Sequence, residues 1–254
     1  MPVIGSTAKW SLSYVIPVHN DEEGLAPNIV RLAEYLRQYA GSEILLVENG
    51  SKDASWLECQ KLEGVLHDVP VRAFREPQAG IGYAYSRGLA ELERMHGTDE
   101  SRWAVLTASD LPWGFSDLSS AKALLGEGRA PVIIGSKAHP DSVAFRGWKR
   151  HGMSVAFRVL RRLLVGMRTG DSQGSFFVRL DVGVPLAHRI VSRDFFYTTE
   201  LVYFAEALAD GVVEVPATLE ASQLAGGGGT TVRPWEHGTA MLRQLIALRH
   251  RDRV

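Results

Sequence analysis

Acidic and polar side chains follow several apolar segments of this chain at the point where each segment ends. The mostly apolar run Trp103–Ala108 leads to Asp110, and two earlier apolar segments lead to the polar turns His19–Asp21 and Glu48–Asp53. In open α/β sheets, ligands bind at the carboxyl ends of the strands. These turns are therefore candidates for one shared binding site. The alternative is that the acids serve only as turn or helix-cap residues, a frequent use of aspartate at such positions.

The elements that must position these turns alternate between strand and helix through the first half of the chain. Runs of apolar and β-branched residues predict five strands, at residues 12–18, 43–47, 70–74, 103–108 and 131–135. Helical patterns between them favour stacked βαβ units with a parallel sheet. The second half is predicted to hold a helix over 146–165, a strand at 212–216 and a C-terminal amphipathic helix over 239–248. No repeat or linker divides the chain, which indicates one domain.

A pair of glycines opens the helix that follows the third predicted strand. In Gly80-Ile81-Gly82, the missing side chains would let backbone N–H groups at a helix N-terminus approach a phosphate. The same pattern also serves close packing of a helix against a strand. Both interpretations stay open on the sequence alone.

The composition limits the classes of function. The 254 residues carry a net charge of −1, which argues against general nucleic-acid binding. Cys59 is the single cysteine, so a disulfide framework and a cysteine zinc site are excluded. No signal peptide is visible, and no apolar run approaches the roughly eighteen residues of a membrane span. We therefore expect a cytoplasmic protein.

The segment from Ser142 to Gly170 contains no acidic residue. It carries seven basic ones: Arg146, Lys149, Arg150, Arg158, Arg161, Arg162 and Arg168. Most basic helix faces are simply solvated. The complete absence of acids equally favours contact with an anion or with lipid headgroups, which would bring the protein to a membrane surface.

Spaced motifs along the chain resemble those of the family 2 glycosyltransferases with the GT-A fold. They stand where that family carries P-x-Y-N-E, D-D-G-S-x-D, G-x-G-x-A and D-x-D: Ile16–Asp21, Glu48–Asp53, Gly80–Ala84 and Ala108–Asp110. Two later motifs, Gly135–His139 and Gly170–Gln173, resemble the dolichyl- and polyprenyl-phosphate sugar synthases, and their glucosyl branch above all. The resemblance implies a Rossmann-like α/β fold with a mixed, mainly parallel sheet flanked by helices. One domain would combine a nucleotide-binding half (about 11–135) and an acceptor half (about 136–254).

The resemblance also implies roles for single residues. The nucleotide-sugar donor would contact Pro17, His19, Asp21, Glu48, Asn49, Gly80, Gly82, Ser109 and Lys137. Asp110 would ligate Mg²⁺ or Mn²⁺ and so stabilise the departing diphosphate. Arg150 and Ser154 fall at acceptor-phosphate positions, and Asp171 and Gln173 fall where the family closes the sugar and acceptor site. Asp171 is the candidate base for a hydroxyl acceptor, whereas a phosphate acceptor is already ionised and needs none.

Several positions depart from the family pattern. Glu48-Asn49 replaces Asp-Asp, which keeps the capacity for hydrogen bonds but changes the charge. Ala108 replaces the first aspartate of D-x-D, and Pro112 stands where a glutamine often follows, so two potential metal ligands are missing. We therefore expect weak binding of the ion. Lys137 replaces an arginine, which removes bidentate recognition of a phosphate. The N-terminal membrane helix of the eukaryotic glucosyl enzymes also has no counterpart here.

The sequence thus leaves three functions open. The first is an inverting glycosyltransferase that moves a hexose from a nucleotide sugar, a UDP-sugar above all, to polyprenyl phosphate at a membrane surface. The second keeps the donor and uses a soluble hydroxyl compound as the acceptor, which the lack of a membrane segment favours. The third is a sugar-nucleotide-binding protein without catalysis, to which Ala108 and Pro112 point.

Overall fold

A computed structural model describes residues 9–128, 130–144, 148–208, 211–221 and 234–251, without the side chains of 149, 150 and 234–239. Its seven-stranded sheet has the order β3-β2-β1-β4-β6-β5-β7. The strands are β1 Ser11–Val18, β2 Glu43–Asn49, β3 Val71–Glu76, β4 Arg102–Leu106, β5 Val132–Ser136, β6 Ser175–Arg179 and β7 Val212–Pro216. All neighbours pair in parallel except β6, which is antiparallel to both β4 and β5. The predicted mixed, mainly parallel sheet is confirmed.

Helices cover both faces of this sheet. They are α1 Leu25–Leu36, α2 Ser55–Val65, α3 Ile81–His96, α4 Ser116–Glu127, α5 Trp148–Val165, α6 Leu180–Arg189, α7 Tyr197–Ala205 and α8 Pro234–Arg251. Within the residues that the structure describes, no helix combines the length and the apolar character that crossing a bilayer requires.

The central strands are buried on both faces, because their side chains alternate between two apolar cores. Tyr14, Ile44 and Val105 are in register on one face and pack with α1, α2 and α4. Val15 and Leu45, one residue further along, enter the opposite core, where α3, α6, α7 and α8 lie. This burial explains why the strands read as continuous apolar runs rather than as alternating ones.

The sheet interleaves the two halves of the chain. Strand β6, from the second half, lies between β4 and β5 of the first half. Because β6 is antiparallel to both, its amino end lies at the same edge as their carboxyl ends. The segments after β4, after β5 and before β6 therefore meet at one edge of the sheet.

Candidate active site

The polar turns after β1, β2 and β4 are joined to one another by hydrogen bonds. The His19 Nδ1 atom lies 2.7 Å from the Asn49 carbonyl, which can only accept, so Nδ1 carries the proton of this bond. The Asp21 backbone N–H donates to the Ser55 hydroxyl at 2.8 Å. The Ser109 hydroxyl donates to Asp21 Oδ2 at 2.6 Å, which ties the third turn to the first. The structure thus brings together turns that the sequence placed at one edge.

Two predicted donor contacts at the end of β2 are almost fully buried. Glu48 is 1% exposed, and its carboxylate accepts the Ser51 backbone N–H at 2.6 Å and Arg75 Nε at 3.2 Å. Asn49 is 2% exposed, and its side-chain oxygen has no hydrogen-bond partner within the described part of the chain. Such a buried orphan acceptor is rare and can be satisfied by a ligand N–H. Pro17 pairs with the residue before Glu48, so it borders the same position.

Asp110 lies on a tight loop directly after β4. Leu111 has a φ of 42°, and its N–H donates to the Ala108 carbonyl at 3.2 Å. The Asp110 side chain is exposed, and it lies near Tyr85, which is buried in α3. Burial raises the pKa of Tyr85 most, and the charges of Tyr197 and Asp110 raise it further. Among the described residues, no group of three or more His, Cys, Asp or Glu side chains could hold a metal. A cation at Asp110 would therefore depend on ligands from the donor itself.

Asp171 and Lys137, far apart in the sequence, are in direct contact. Asp171 is 7% exposed, and its two oxygens accept the backbone N–H groups of Gln173 at 2.8 Å and of Lys137 at 2.9 Å. The Lys137 ammonium lies 3.7 Å from Asp171 Oδ1 and donates to the Gln173 carbonyl at 3.0 Å. The segments after β5 and before β6 therefore form one charged unit.

The carboxylate of Glu214, in β7, is hydrogen-bonded to this unit. It accepts the N–H groups of Gly170 at 2.8 Å and of Asp171 at 3.0 Å, and also the Ser136 hydroxyl. One side chain of β7 thereby fixes both the end of β5 and the segment before β6. A carboxylate that binds backbone N–H groups makes stronger hydrogen bonds than a neutral acceptor does.

The glycine pair packs closely against the segment that joins α6 to α7. Gly80 has a φ of 144°, and a Cβ atom on Gly82 would lie 2.6 Å from the backbone carbonyl carbon of Arg193. The Gly82 N–H donates to the Arg193 carbonyl at 3.0 Å. The close packing foreseen for this pair thus occurs, although its neighbour is a loop rather than a strand. Donor contact by the two glycines stays a prediction.

The sequence profile of glycosyl transferase family 2 matches residues 13–181. This chain belongs to that family. The matched region holds the strand-end turns, Asp110 and the Asp171 unit.

Solved structures of glucosyl-3-phosphoglycerate synthase from Mycobacterium tuberculosis share the fold of this transferase. The complex with UDP is 17% identical with a TM-score of 0.63, over 97% of this chain and 81% of that chain. The complex with Mn²⁺, UDP-glucose and phosphoglyceric acid is 17% identical with a TM-score of 0.63, over 96% and 80%. The complex with Mn²⁺, UDP-glucose and glycerol 3-phosphate is 16% identical with a TM-score of 0.62, over 96% and 80%. No curated protein sequence matches this chain. The predicted GT-A fold and transferase class are confirmed.

The two positions predicted to bind an acceptor phosphate, Arg150 and Ser154, lie on α5. Ser154 is exposed there. The side chain of Arg150 lies outside the described part of the structure. Their predicted role stays a prediction.

The sequence did not indicate the side chains that hold the segment before β6 in place. Arg161 was counted among the bases of a positive helix face, but it is 2% exposed and donates to the Thr169 and Gly170 carbonyls at 3.2 and 3.1 Å. Burial lowers its pKa, against the charges of Asp171, Glu206 and Glu214. Glu206 accepts the Thr169 N–H at 2.8 Å.

Proposed function

We propose that this protein transfers a hexose, with inversion, from a UDP-sugar to a small soluble acceptor, and that both halves of the chain serve one transferase domain. The observation that carries the proposal is the shared edge of the sheet: Asp110 follows β4, Asp171 precedes the neighbouring strand β6, and Lys137 follows β5, the next strand. The β1 turn is tied to Ser109 and Lys137 is tied to Asp171. The likeness to a synthase solved with UDP-glucose and with phosphoglyceric acid or glycerol 3-phosphate supports a UDP-sugar and a soluble acceptor. The soluble acceptor is thus better supported than the polyprenyl phosphate that the sequence placed first.

In this proposal the first half of the chain binds the nucleotide. The unpaired side-chain oxygen of Asn49 suits an N–H donor such as that of a pyrimidine ring. His19 and Asp21, which are fixed by the Asn49 carbonyl and by Ser109, border the ribose. A Mg²⁺ or Mn²⁺ ion at Asp110 would neutralise charge on the leaving diphosphate, and an ion that takes most ligands from phosphate and water fits a site with one carboxylate.

In the second half, the Lys137–Asp171 unit meets the acceptor. The acceptor oxygen attacks the anomeric carbon on the face opposite the diphosphate, a glycosidic bond forms, and the bond to the diphosphate breaks. A hydroxyl acceptor must lose its proton, for which Asp171 is the candidate base, with Gln173 beside it. The partly exposed ammonium of Lys137 suits an anionic group on the acceptor.

The test is release of nucleoside diphosphate from UDP-, GDP- and ADP-sugars, with Mg²⁺, Mn²⁺ or EDTA. The acceptors are 3-phosphoglycerate, glycerol 3-phosphate, glycerol and a short polyprenyl phosphate. We expect UDP release that depends on a soluble acceptor and that Asp110→Asn reduces at least tenfold. Asp68→Asn, an exposed position at the opposite edge, is the matched control. UDP-sugar binding without turnover on any acceptor would overturn the proposal in favour of a binding protein.

A second candidate keeps polyprenyl phosphate as the acceptor and adds peripheral membrane contact. The observation that favours it is an apolar stripe on α5, where Trp148, Met153, Val159, Leu160 and Leu163 are 81%, 45%, 48%, 37% and 72% exposed. These positions follow the helical repeat within a segment that lacks acids. A large exposed apolar area beside basic residues is typical of proteins that bind anionic membranes.

Vesicle flotation separates the two candidates. If the second is right, the protein floats with vesicles that contain phosphatidylglycerol but not with pure phosphatidylcholine, and Leu163→Glu abolishes the binding. Leu57→Glu, at a 51% exposed leucine on α2, is the matched control. UDP release that only polyprenyl phosphate stimulates would establish this acceptor. A protein that stays in solution with both vesicle types contradicts the membrane contact.

A further inference from the structure

The segment between α6 and α7 lies directly on the first turn of α3. The Arg193 carbonyl accepts the Gly82 N–H, and the Arg193 guanidinium donates to the Ser86 hydroxyl at 2.6 Å and lies 5.9 Å from the Tyr83 ring centre. At both glycines a Cβ atom would be 2.6 Å from the Arg193 backbone. The position of this segment and the position of the α3 N-terminus therefore depend on each other.

A buried carboxylate at the start of α7 holds the segment. Glu200 is 1% exposed and accepts the Val191 N–H at 2.9 Å and the Ser192 hydroxyl at 2.6 Å. Its Oε1 atom also accepts Arg251, in the last turn of α8, at 2.7 Å. The arginine provides the positive charge that a buried carboxylate requires.

Helix α8 makes a second attachment one residue beyond Arg193. The Gln244 side-chain amide donates to both oxygens of Asp194, at 2.9 and 3.2 Å. The helix is itself anchored, because Leu245 and Leu248 are fully buried in the core that α3 shares. Two side chains of the C-terminal helix thus restrain a segment about 50 residues earlier in the chain.

The restrained turn of α3 borders the proposed donor site. A Cβ atom on Gly50, in the turn after β2, would be 3.0 Å from the backbone nitrogen of Ala79, directly before the glycine pair. We infer that Glu200 and Arg251 are positioning residues of the transferase: through the segment 191–194 they fix the glycine pair and the first turn of α3 in the place that the donor requires. This inference rests on the proposed function.

The first test is hydrogen–deuterium exchange of the intact protein. In Arg251→Ala, we expect the peptide that contains Gly82 to exchange faster, because the Arg193 carbonyl is no longer held against its N–H. Arg251→Lys keeps one charged hydrogen bond to Glu200 and restores most of the protection. Arg249→Ala, an exposed arginine two residues earlier in α8, is the matched control. Faster exchange confined to α8, with the Gly82 peptide as in the wild type, overturns the inference.

The second test separates positioning from general stability. Arg251→Ala should raise the KM for the UDP-sugar about fivefold and leave kcat within about twofold of the wild type. The factor of about five corresponds to the loss of one charged hydrogen bond, of which only part affects the donor site. If this variant does not fold, Ser192→Ala removes the 2.6 Å bond between Glu200 and the segment instead, and unchanged exchange at Gly82 then overturns the inference. Since exchange needs no substrate, absence of turnover in the wild type counts against the proposed function alone.

Discussion

Replacing Glu214 with glutamine tests whether one carboxylate sets the geometry of the Asp171 unit. The wild-type side chain accepts two backbone N–H groups, at 2.8 and 3.0 Å, and the Ser136 hydroxyl. Glutamine keeps the shape but has one accepting oxygen, and its NH₂ group then faces an N–H donor. At least one charge-assisted bond is lost and one donor is left unpaired, which costs about 2–3 kcal/mol for this partly buried side chain. For a domain of this size the loss lowers Tm by about 4–10 °C.

The expected loss of activity is larger than the loss of stability explains. Because Glu214 holds the N–H of Asp171 itself, its loss displaces the Asp171 carboxylate and Lys137 with it, and a shift of about 1 Å at a reacting group lowers kcat about 100-fold. The assay is initial-rate UDP release well below the melting transition, with Tm measured by calorimetry on the same samples.

Glu206→Gln is the matched control for this prediction. Glu206 accepts the N–H groups of Arg168 and Thr169, at 2.9 and 2.8 Å, so the same substitution breaks the same kind of bond two residues before Asp171. We expect a comparable fall in Tm but a kcat within about threefold of the wild type. If both variants lose activity equally, Glu214 has no specific role at Asp171 and the reasoning is refuted.

Three further predictions follow from single contacts. Gly82→Ala should lower Tm and raise the donor KM, since the new Cβ would lie 2.6 Å from the Arg193 backbone; wild-type values for both would contradict this packing. Ser109→Ala, which removes the 2.6 Å bond to Asp21, should raise the donor KM about fivefold with little change in kcat, measured by initial rates. Burial raises the pKa of Asp117, so folding favours its protonated form and the residue costs stability above its ordinary pKa. Asp117→Asn should therefore raise Tm at pH 7, with a gain that shrinks as the pH falls through the ordinary aspartate pKa of about 3.9, because the residue is then protonated in both states.

The sequence could predict the first half of the fold because its signals are local. Apolar runs that end in polar turns marked β1, β2 and β4, and the turns after them meet as expected. The place of β6 could not be predicted in this way, since nothing within Ser175–Arg179 indicates that it pairs with both β4 and β5. Strand pairing between distant segments depends on the whole sheet rather than on the strand's own pattern.

The candidate site was predictable to a similar extent. Motif resemblance selected Lys137 and Asp171 separately, and the structure shows that they touch. Glu214 lies in the strand predicted at 212–216, but its bond to Gly170 spans 44 residues, and the pattern of a single strand does not indicate a partner so far away in the sequence. The assignment of Arg161 to a positive helix face is wrong, because the composition gives the charge of a segment but not the side of the helix on which each residue lies. Only the packing of α5 decides which arginine faces inward.

An acidic residue at this edge of the sheet can do one of two things: hold the turns together, or act on the donor or an ion. Four acids accept hydrogen bonds from other segments and so hold the turns of this edge together: Asp21, Glu48, Asp171 and Glu214. A carboxylate suits this work because each of its oxygens can accept from an N–H or O–H group. An acid-to-amide change at such a position must lower stability and activity together, whereas the same change at an acid that acts only on the donor or an ion lowers activity alone. Asp171, which is buried, accepts two backbone N–H groups and is the candidate base, is the position where both effects should coincide.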